Sequence, residues 1–112
     1  MSTACIEMAT RLGRTLADAP QTKALVDAHK KLSEDPATKD LVEAFQNQAM
    51  KVAQLEQSKQ PIGPDDKHKL QELNDKLIAS AVYKQFLDAQ VQYADLMRKT
   101  NQAIRSELPS LA

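Results

Sequence analysis

Glycine is scarce in this sequence, which has only two glycines among its 112 residues. Tight β-turns depend on glycine at left-handed positions, so a protein built from hairpins is excluded. Aromatic residues are also few, with two Phe, two Tyr and no Trp. The core must therefore consist of Leu, Val, Ile, Met and Ala, a composition typical of packed helices. We predict an all-α protein.

The sequence also lacks net charge, a second cysteine and any long apolar run. Fifteen Lys and Arg balance fifteen Asp and Glu, so no long-range positive field attracts nucleic acid or an anionic membrane. The N-terminus has no basic segment followed by an apolar one, and no apolar stretch approaches the roughly 20 residues that cross a bilayer. We expect a cytoplasmic protein that contacts neither nucleic acid nor membrane directly.

A chain of this length is expected to be one domain, residues 1–112, with frayed ends at 1–3 and 109–112. Apolar residues recur at helical spacing, and proline-containing breaks interrupt them. The spacing and the breaks together predict five helices. The first is expected to start after Ser2 or Thr3, either of which could cap it, and to run to about Ala17. The others are expected at about Gln21 to Ser33, Pro36 to Lys59, Pro64 to Ala79 and Val82 to Leu108.

Proline and capping residues define these boundaries. Asp35 is a predicted N-cap, and Pro36 suits the first helical position because its missing N–H costs nothing there. Two prolines and a glycine within residues 60–64 predict a loop. Ser80 is predicted either to cap the last helix or to mark a kink before it.

The third and fifth helices are predicted to be long. At 1.5 Å per residue they measure about 36 and 39 Å, more than a compact domain of this size requires. Their similar length suggests an antiparallel pair, and their apolar stripes, which one chain cannot cover, indicate a dimeric helical bundle. The predicted self-association residues are Phe45, Val52, Leu55, Phe86, Tyr93 and Met97.

No motif for catalysis or metal binding is present. Cys5 has no histidine near it in sequence, and we interpret it as a small apolar residue on the inner face of the first helix. Neither His29 nor His68 belongs to the Glu-x-x-His signature of metal-binding helical bundles. The run from Asp65 to His68 is typical of a helix start. We therefore predict neither an enzyme nor a site for a cofactor or metal.

The succession of helices and breaks is distinctive as a whole. It comprises residues 16–32, the Asp35–Pro36 junction, the Leu41–Gln46 segment, the loop with two prolines, residues 69–90 (KLQELNDKLIASAVYKQFLDAQ) and a long closing helix. Over about residues 5–107, this order resembles the YlbF/YmcA family of small bacterial proteins. The resemblance rests on helix punctuation and hydrophobic spacing rather than on a catalytic motif.

The resemblance implies an all-α fold that dimerises through its long helices, in a cytoplasmic protein without enzymatic activity. Some family members are subunits of a regulatory complex that influences RNase Y-dependent RNA processing and holds iron–sulfur clusters through cysteines. This sequence departs from that pattern because Cys5 is its only cysteine. We therefore predict no cofactor and place the chain nearer to the YheA-like members.

The predicted function is a non-catalytic regulatory module for protein–protein interaction. It is expected to form a homodimer, and other proteins of the same family are further candidate partners. The alternative is a factor in RNA turnover that acts through an RNase partner rather than by binding RNA directly.

Overall fold

Five α-helices make up the fold in a computed structural model that describes residues 2–110. No strand is present in this part of the chain, which confirms the all-α prediction. Each helix begins and ends within two residues of its predicted boundary; of the residues predicted to fray, Met1, Leu111 and Ala112 lie outside the described range. The helices are α1 (Ser2–Asp18), α2 (Pro20–Ser33), α3 (Pro36–Gln57), α4 (Pro64–Ala79) and α5 (Ala81–Ser106).

Short polar side chains cap two of the helices, as the sequence predicts. The carboxylate of Asp35 accepts a hydrogen bond from the Thr38 N–H at 3.3 Å, which satisfies one of the unpaired donors at the start of α3. The hydroxyl of Ser80 accepts one from the Tyr83 N–H at 3.2 Å. Ser80 has an extended backbone with ψ of 122°, so it both ends α4 and caps α5.

The end of α3 carries the one described non-glycine residue with positive φ, Lys59 at 57°. The Gln60 N–H donates to the Leu55 carbonyl at 2.9 Å, and the Lys59 N–H donates to the Glu56 carbonyl at 3.1 Å. This pair of bonds is the Schellman motif, in which glycine is the usual residue at the left-handed position. The motif ends α3 two residues before the predicted boundary at Lys59.

We expect the substitution Lys59→Gly to stabilise the protein. A left-handed conformation costs a residue with a Cβ about 1–2 kcal/mol, and glycine's larger entropy loss on folding offsets part of the gain. The expected net increase in the free energy of unfolding is about 0.5–1 kcal/mol, measured by urea denaturation. Lys59→Ala is the control, since it removes the same charge but keeps the Cβ. Equal stability of the two variants would contradict the assignment of strain to Lys59.

The helices pack as two pairs. α3 packs against α4, α2 packs against α5, and smaller contacts join α4 to α5 and α2 to α3. The two long helices α3 and α5 make no extensive contact with each other in the described structure. The predicted antiparallel pairing of the long helices is therefore not confirmed, because each of them packs against a shorter helix.

The core between these pairs is thin. Among the described residues, only Ala28, Leu77 and Ala89 are buried apolar side chains. The radius of gyration is 19.6 Å and the extents are 56 × 38 × 20 Å, whereas a compact domain of this length has a radius of about 13 Å. The chain is an elongated arrangement of helix pairs with little interior of its own.

Candidate interaction surface

Polar contacts lock α3 to α4 at one point. The buried side chain of Gln48 donates from Nε2 to the Asp66 carbonyl at 3.0 Å and to Asp66 Oδ1 at 3.3 Å. Lys51 Nζ lies 3.0 Å from the same carboxylate oxygen. The Lys51 ammonium, helped by the Gln48 amide, holds the pKa of Asp66 below its ordinary value. This cluster holds α3 and α4 of one chain together.

A second polar contact joins the beginnings of two helices. The hydroxyl groups of Thr38 in α3 and Ser80 at the start of α5 share a hydrogen bond of 3.0 Å. Thr38 is only 4% exposed, so this bond satisfies a hydroxyl that would otherwise be buried without a partner. The sequence identified Ser80 as a cap but did not indicate its contact with Thr38.

The residues considered for chemistry are dispersed. Cys5 is exposed on α1, and His68 is exposed near the start of α4. The His29 ring lies 6.0 Å from the Phe86 ring, at 53° to it, which is an aromatic packing contact. No group of three or more His, Cys, Asp or Glu that could hold a metal occurs within residues 2–110.

Two open grooves flank the α2–α5 pair. One has a volume of about 430 Å³, and its lining includes Ala24, Ala89, Asp27 and Asp88. The other has a volume of about 360 Å³, and it is lined by Leu25, Val26, His29, Phe86 and Gln90. Neither groove encloses a ligand-sized cavity with converging polar groups, so both suit an extended protein surface better than a small molecule.

The six predicted self-association residues are all half-buried, but they lie in different places. Phe45 and Val52 line a groove between α3 and α4, and Phe86 faces His29 of its own chain. Leu55 lies one turn beyond Val52 on α3. Tyr93 and Met97 lie in the second half of α5. These contacts do not bring the six residues into one surface of a single chain.

Large apolar side chains outside the six predicted self-association residues are strongly exposed. Nine large apolar side chains are between 37% and 65% exposed. Sequence spacing shows which of them share a helix face, but it does not show that the face is exposed. They occur on every described helix, and one follows α5. They are Ile6, Met8, Val26, Met50, Ile78, Leu87, Val91, Ile104 and Leu108.

Comparison with known proteins identifies the family of this protein. A family model described as "Control of competence regulator ComK, YlbF/YmcA" matches residues 5–109, nearly the whole chain. The protein belongs to the YlbF/YmcA family. The expected resemblance is thus confirmed.

Two known proteins are similar to this YlbF/YmcA-family protein over nearly its whole length. A UPF0342 protein from Streptococcus mutans is 29% identical over 106 residues, which cover 95% of this chain and 94% of that protein. The crystal structure of Bacillus subtilis RicA in complex with RicF matches with a TM-score of 0.80 at 16% identity, covering 93% of this chain and 92% of that one. At this identity, the likeness to RicA shows a shared fold.

No helix among residues 2–110 of this YlbF/YmcA-family protein is long and apolar enough to cross a membrane. The described surface carries open grooves and exposed apolar side chains.

Proposed function

We propose that this YlbF/YmcA-family protein is a non-catalytic regulatory module of the cytoplasm that works by binding proteins, first of all a second copy of itself. In this proposal the exposed faces of its helices bind other proteins, and no reaction takes place on them. Membership of the family supports a regulatory role, and the structural neighbour RicA is itself in complex with another protein, RicF.

The surface area of the chain carries this proposal. The accessible surface is 8738 Å², whereas a compact monomer of the same mass exposes about 6,100 Å². The surplus of about 2,600 Å² exceeds the roughly 800 Å² that each partner buries in a standard interface. Because part of that surplus is exposed Met, Ile, Leu and Val, burial against another protein would stabilise the chain.

The predicted self-association residues differ in how strongly the structure supports their place in an interface with a second copy. Tyr93 and Met97 lie on α5 beyond the region that α2 covers and are the strongest candidates. Phe45 and Val52 line a groove within the chain, and Phe86 packs on His29. Substitution of these three is therefore expected to act first on folding and only then on association.

Affinity capture from native cells tests whether the protein also binds partners other than itself. We expect a tagged chain, purified without oxygen, to retain at least one other protein at near-stoichiometric amounts through a high-salt wash, identified by mass spectrometry. Retention at high salt is expected because apolar contacts are not screened. Recovery of the tagged chain and its untagged copy alone would restrict the function to self-association.

A further inference from the structure

A repeated sequence segment relates the two helices of the α2–α5 pair. Residues 16–28 (LADAPQTKALVDA) align without a gap to residues 77–89 (LIASAVYKQFLDA), and four positions are identical. The helix breaks follow the same register: Ala19 alone separates α1 from α2, and Ser80, 61 positions later, alone separates α4 from α5. Each residue of α2 therefore has a counterpart at the equivalent place in α5.

The two helices run antiparallel, so the repeat gives the pair an approximate two-fold axis. The His29 ring lies against the Phe86 ring, whereas Pro20, earlier in α2, shares a groove with Gln92, later in α5. A rotation by 180° about an axis between two antiparallel helices exchanges them and keeps each face of the pair on the same side. Counterpart residues are therefore expected on the same face.

Counterpart residues line both grooves of the pair, as such an axis requires. The larger groove is lined by two pairs of counterparts, one of which is Asp27 and Asp88. The smaller groove on the other face is also lined by two such pairs. At the contact between the helices, Ala28 and its counterpart Ala89 are 1% and 7% exposed. The sequence repeat is thus present in the packing of α2 against α5.

The axis places the carboxylates of Asp27 and Asp88 opposite each other across the larger groove. Because His29 meets Phe86 and the helices are antiparallel, the residue two before His29 lies level with the residue two after Phe86. Asp27 pairs with Lys31 at 3.2 Å, but both side chains are more than half exposed, so this pair is weak. Asp88 forms no ion pair within residues 2–110.

We call the larger groove, between residues 20–27 of α2 and 85–92 of α5, the acidic groove. Its lining contains both carboxylates, three glutamines and, among the described residues, no Lys or Arg. The small side chains of Ala24 and Ala89 leave room for close approach of a third helix. The groove follows each helix for about 12 Å, or roughly two turns. Its negative charge repels the phosphates of nucleic acid and anionic membranes, which leaves a basic protein segment as the complementary partner.

We propose that the acidic groove binds one helix of another protein and that this helix places an arginine or lysine side chain between Asp27 and Asp88. The inference rests on the protein binding proposed above and names the surface and the chemistry of the partner. Two carboxylates that face each other repel, and a single cation between them attracts both. An arginine suits this position because its five N–H donors can bind two carboxylates at once.

Selection from a peptide library tests the inference with a defined probe. The library displays a helix of about 20 residues with apolar residues at intervals of three and four, and every residue type is allowed at two central positions of that apolar face. We expect the peptides selected on the unsubstituted chain to carry Arg or Lys at one of these positions. Replacement of that residue by glutamine is expected to raise the dissociation constant at least about tenfold, measured by fluorescence anisotropy. Selection of no peptide, or of peptides without a basic residue there, would overturn the proposal.

Charge removal from the groove makes the reciprocal test. Asp27 and Asp88 are exposed, so the double variant Asp27→Asn, Asp88→Asn is expected to keep the helix content and melting temperature of the unsubstituted chain. It is expected to bind the selected peptides at least about tenfold more weakly. Asp40→Asn is the control, because Asp40 is exposed on α3 and lies outside the groove. Equal weakening by Asp40→Asn would show non-specific attraction and contradict the proposal.

A steric substitution locates the bound peptide. Ala24 is exposed and lines the acidic groove, so Ala24→Leu fills the groove without changing its charge. We expect it to weaken peptide binding at least about tenfold. Ala53→Leu makes the same change at an exposed position of α3 and is expected to bind like the unsubstituted chain. Undiminished binding by Ala24→Leu would place the peptide elsewhere and overturn the proposal.

Sedimentation of the same variants separates this inference from the proposed self-association. The double variant Asp27→Asn, Asp88→Asn is expected to self-associate like the unsubstituted chain. Weaker self-association of this variant would mean that a second copy occupies the acidic groove, which overturns the inference and keeps the proposed self-association. A chain that stays monomeric at every concentration but binds basic peptides through Asp27 and Asp88 supports the groove and contradicts self-association.

Discussion

Truncation of Leu77 to alanine is expected to lower the free energy of unfolding by about 3 kcal/mol, within the range of about 2–5 kcal/mol for buried leucines. Leu77 is 1% exposed and is the largest fully buried side chain of the described structure. It lies in the last turn of α4, directly before the Ser80 cap that starts α5. Since few other apolar side chains of the described structure are buried, Leu77 supplies a large share of its buried apolar contacts.

The destabilisation expected from Leu77→Ala is a large fraction of the total free energy of unfolding. A domain of this size is stable by about 5–15 kcal/mol, and each lost kcal/mol lowers the melting temperature by roughly 4 °C. Urea denaturation at one fixed protein concentration measures the change, because self-association adds a concentration-dependent contribution.

The neighbouring residue serves as the control. Ile78 is 47% exposed, so Ile78→Ala removes a side chain that is mostly in water and is expected to cost less than about 1 kcal/mol. If Leu77→Ala were no more destabilising than Ile78→Ala, the assignment of Leu77 to the core would be wrong.

The substitution Gln48→Glu is expected to destabilise the protein by about 3 kcal/mol at neutral pH, the range for an unpaired buried charge. Gln48 is 5% exposed, and its amide donates to both the carbonyl and the carboxylate of Asp66. A glutamate there replaces the donor with a second negative charge against Asp66. The Lys51 ammonium already interacts with Asp66 and offsets only part of the repulsion.

The effect is expected to depend on pH. Burial and the Asp66 charge raise the pKa of the new carboxyl in the folded state, so the penalty is present above that raised pKa and disappears as the pH falls towards the unfolded value of about 4.3. Asp66 behaves in the opposite way: its pKa is lowered, so its contribution is present near neutral pH and is lost as the pH falls through the lowered pKa. The stability difference between Gln48→Glu and Gln48→Met should therefore shrink on acidification.

Gln48→Met is the matched control, because it keeps the length of the side chain and removes the hydrogen bonds without adding charge. Its expected cost is about 1 kcal/mol. Thermal unfolding of both variants between neutral and mildly acidic pH makes the comparison. A pH-independent difference would show that the repulsion from Asp66 is not its cause.

Helix boundaries could be predicted from the sequence because their signals are local. Asp35, Pro36 and Ser80 each act on backbone groups within three or four residues, and all three act as predicted. Two helix ends gave no such signal. A lysine does not indicate a left-handed conformation, so the predicted end of α3 is two residues late. The predicted end of α5 at Leu108 is also two residues late.

Helix pairing could not be predicted in the same way. Spacing shows which face of a helix is apolar, but it does not show which helix covers that face. The long helices α3 and α5 therefore suggested each other as partners, whereas each packs on a shorter helix that buries a different part of it. The same reason explains why the six predicted interface residues are distributed over separate contacts.

The hydrogen-bonding partner of the buried Gln48 could not be predicted from the sequence. It lies three residues after Phe45 and four before Val52, the spacing of a core position on α3. A glutamine at such a position signals a buried hydrogen-bonding partner, but only the fold shows that this partner is Asp66.

Sedimentation equilibrium of the unsubstituted chain, from nanomolar to high micromolar concentration, tests the central claim most directly. The account predicts a reversible transition to a species of twice the 12.4 kDa chain mass. The large apolar surface of the single chain requires a cover, and a second copy supplies it. A single species of 12.4 kDa at every concentration would contradict self-association as the basis of this protein's function.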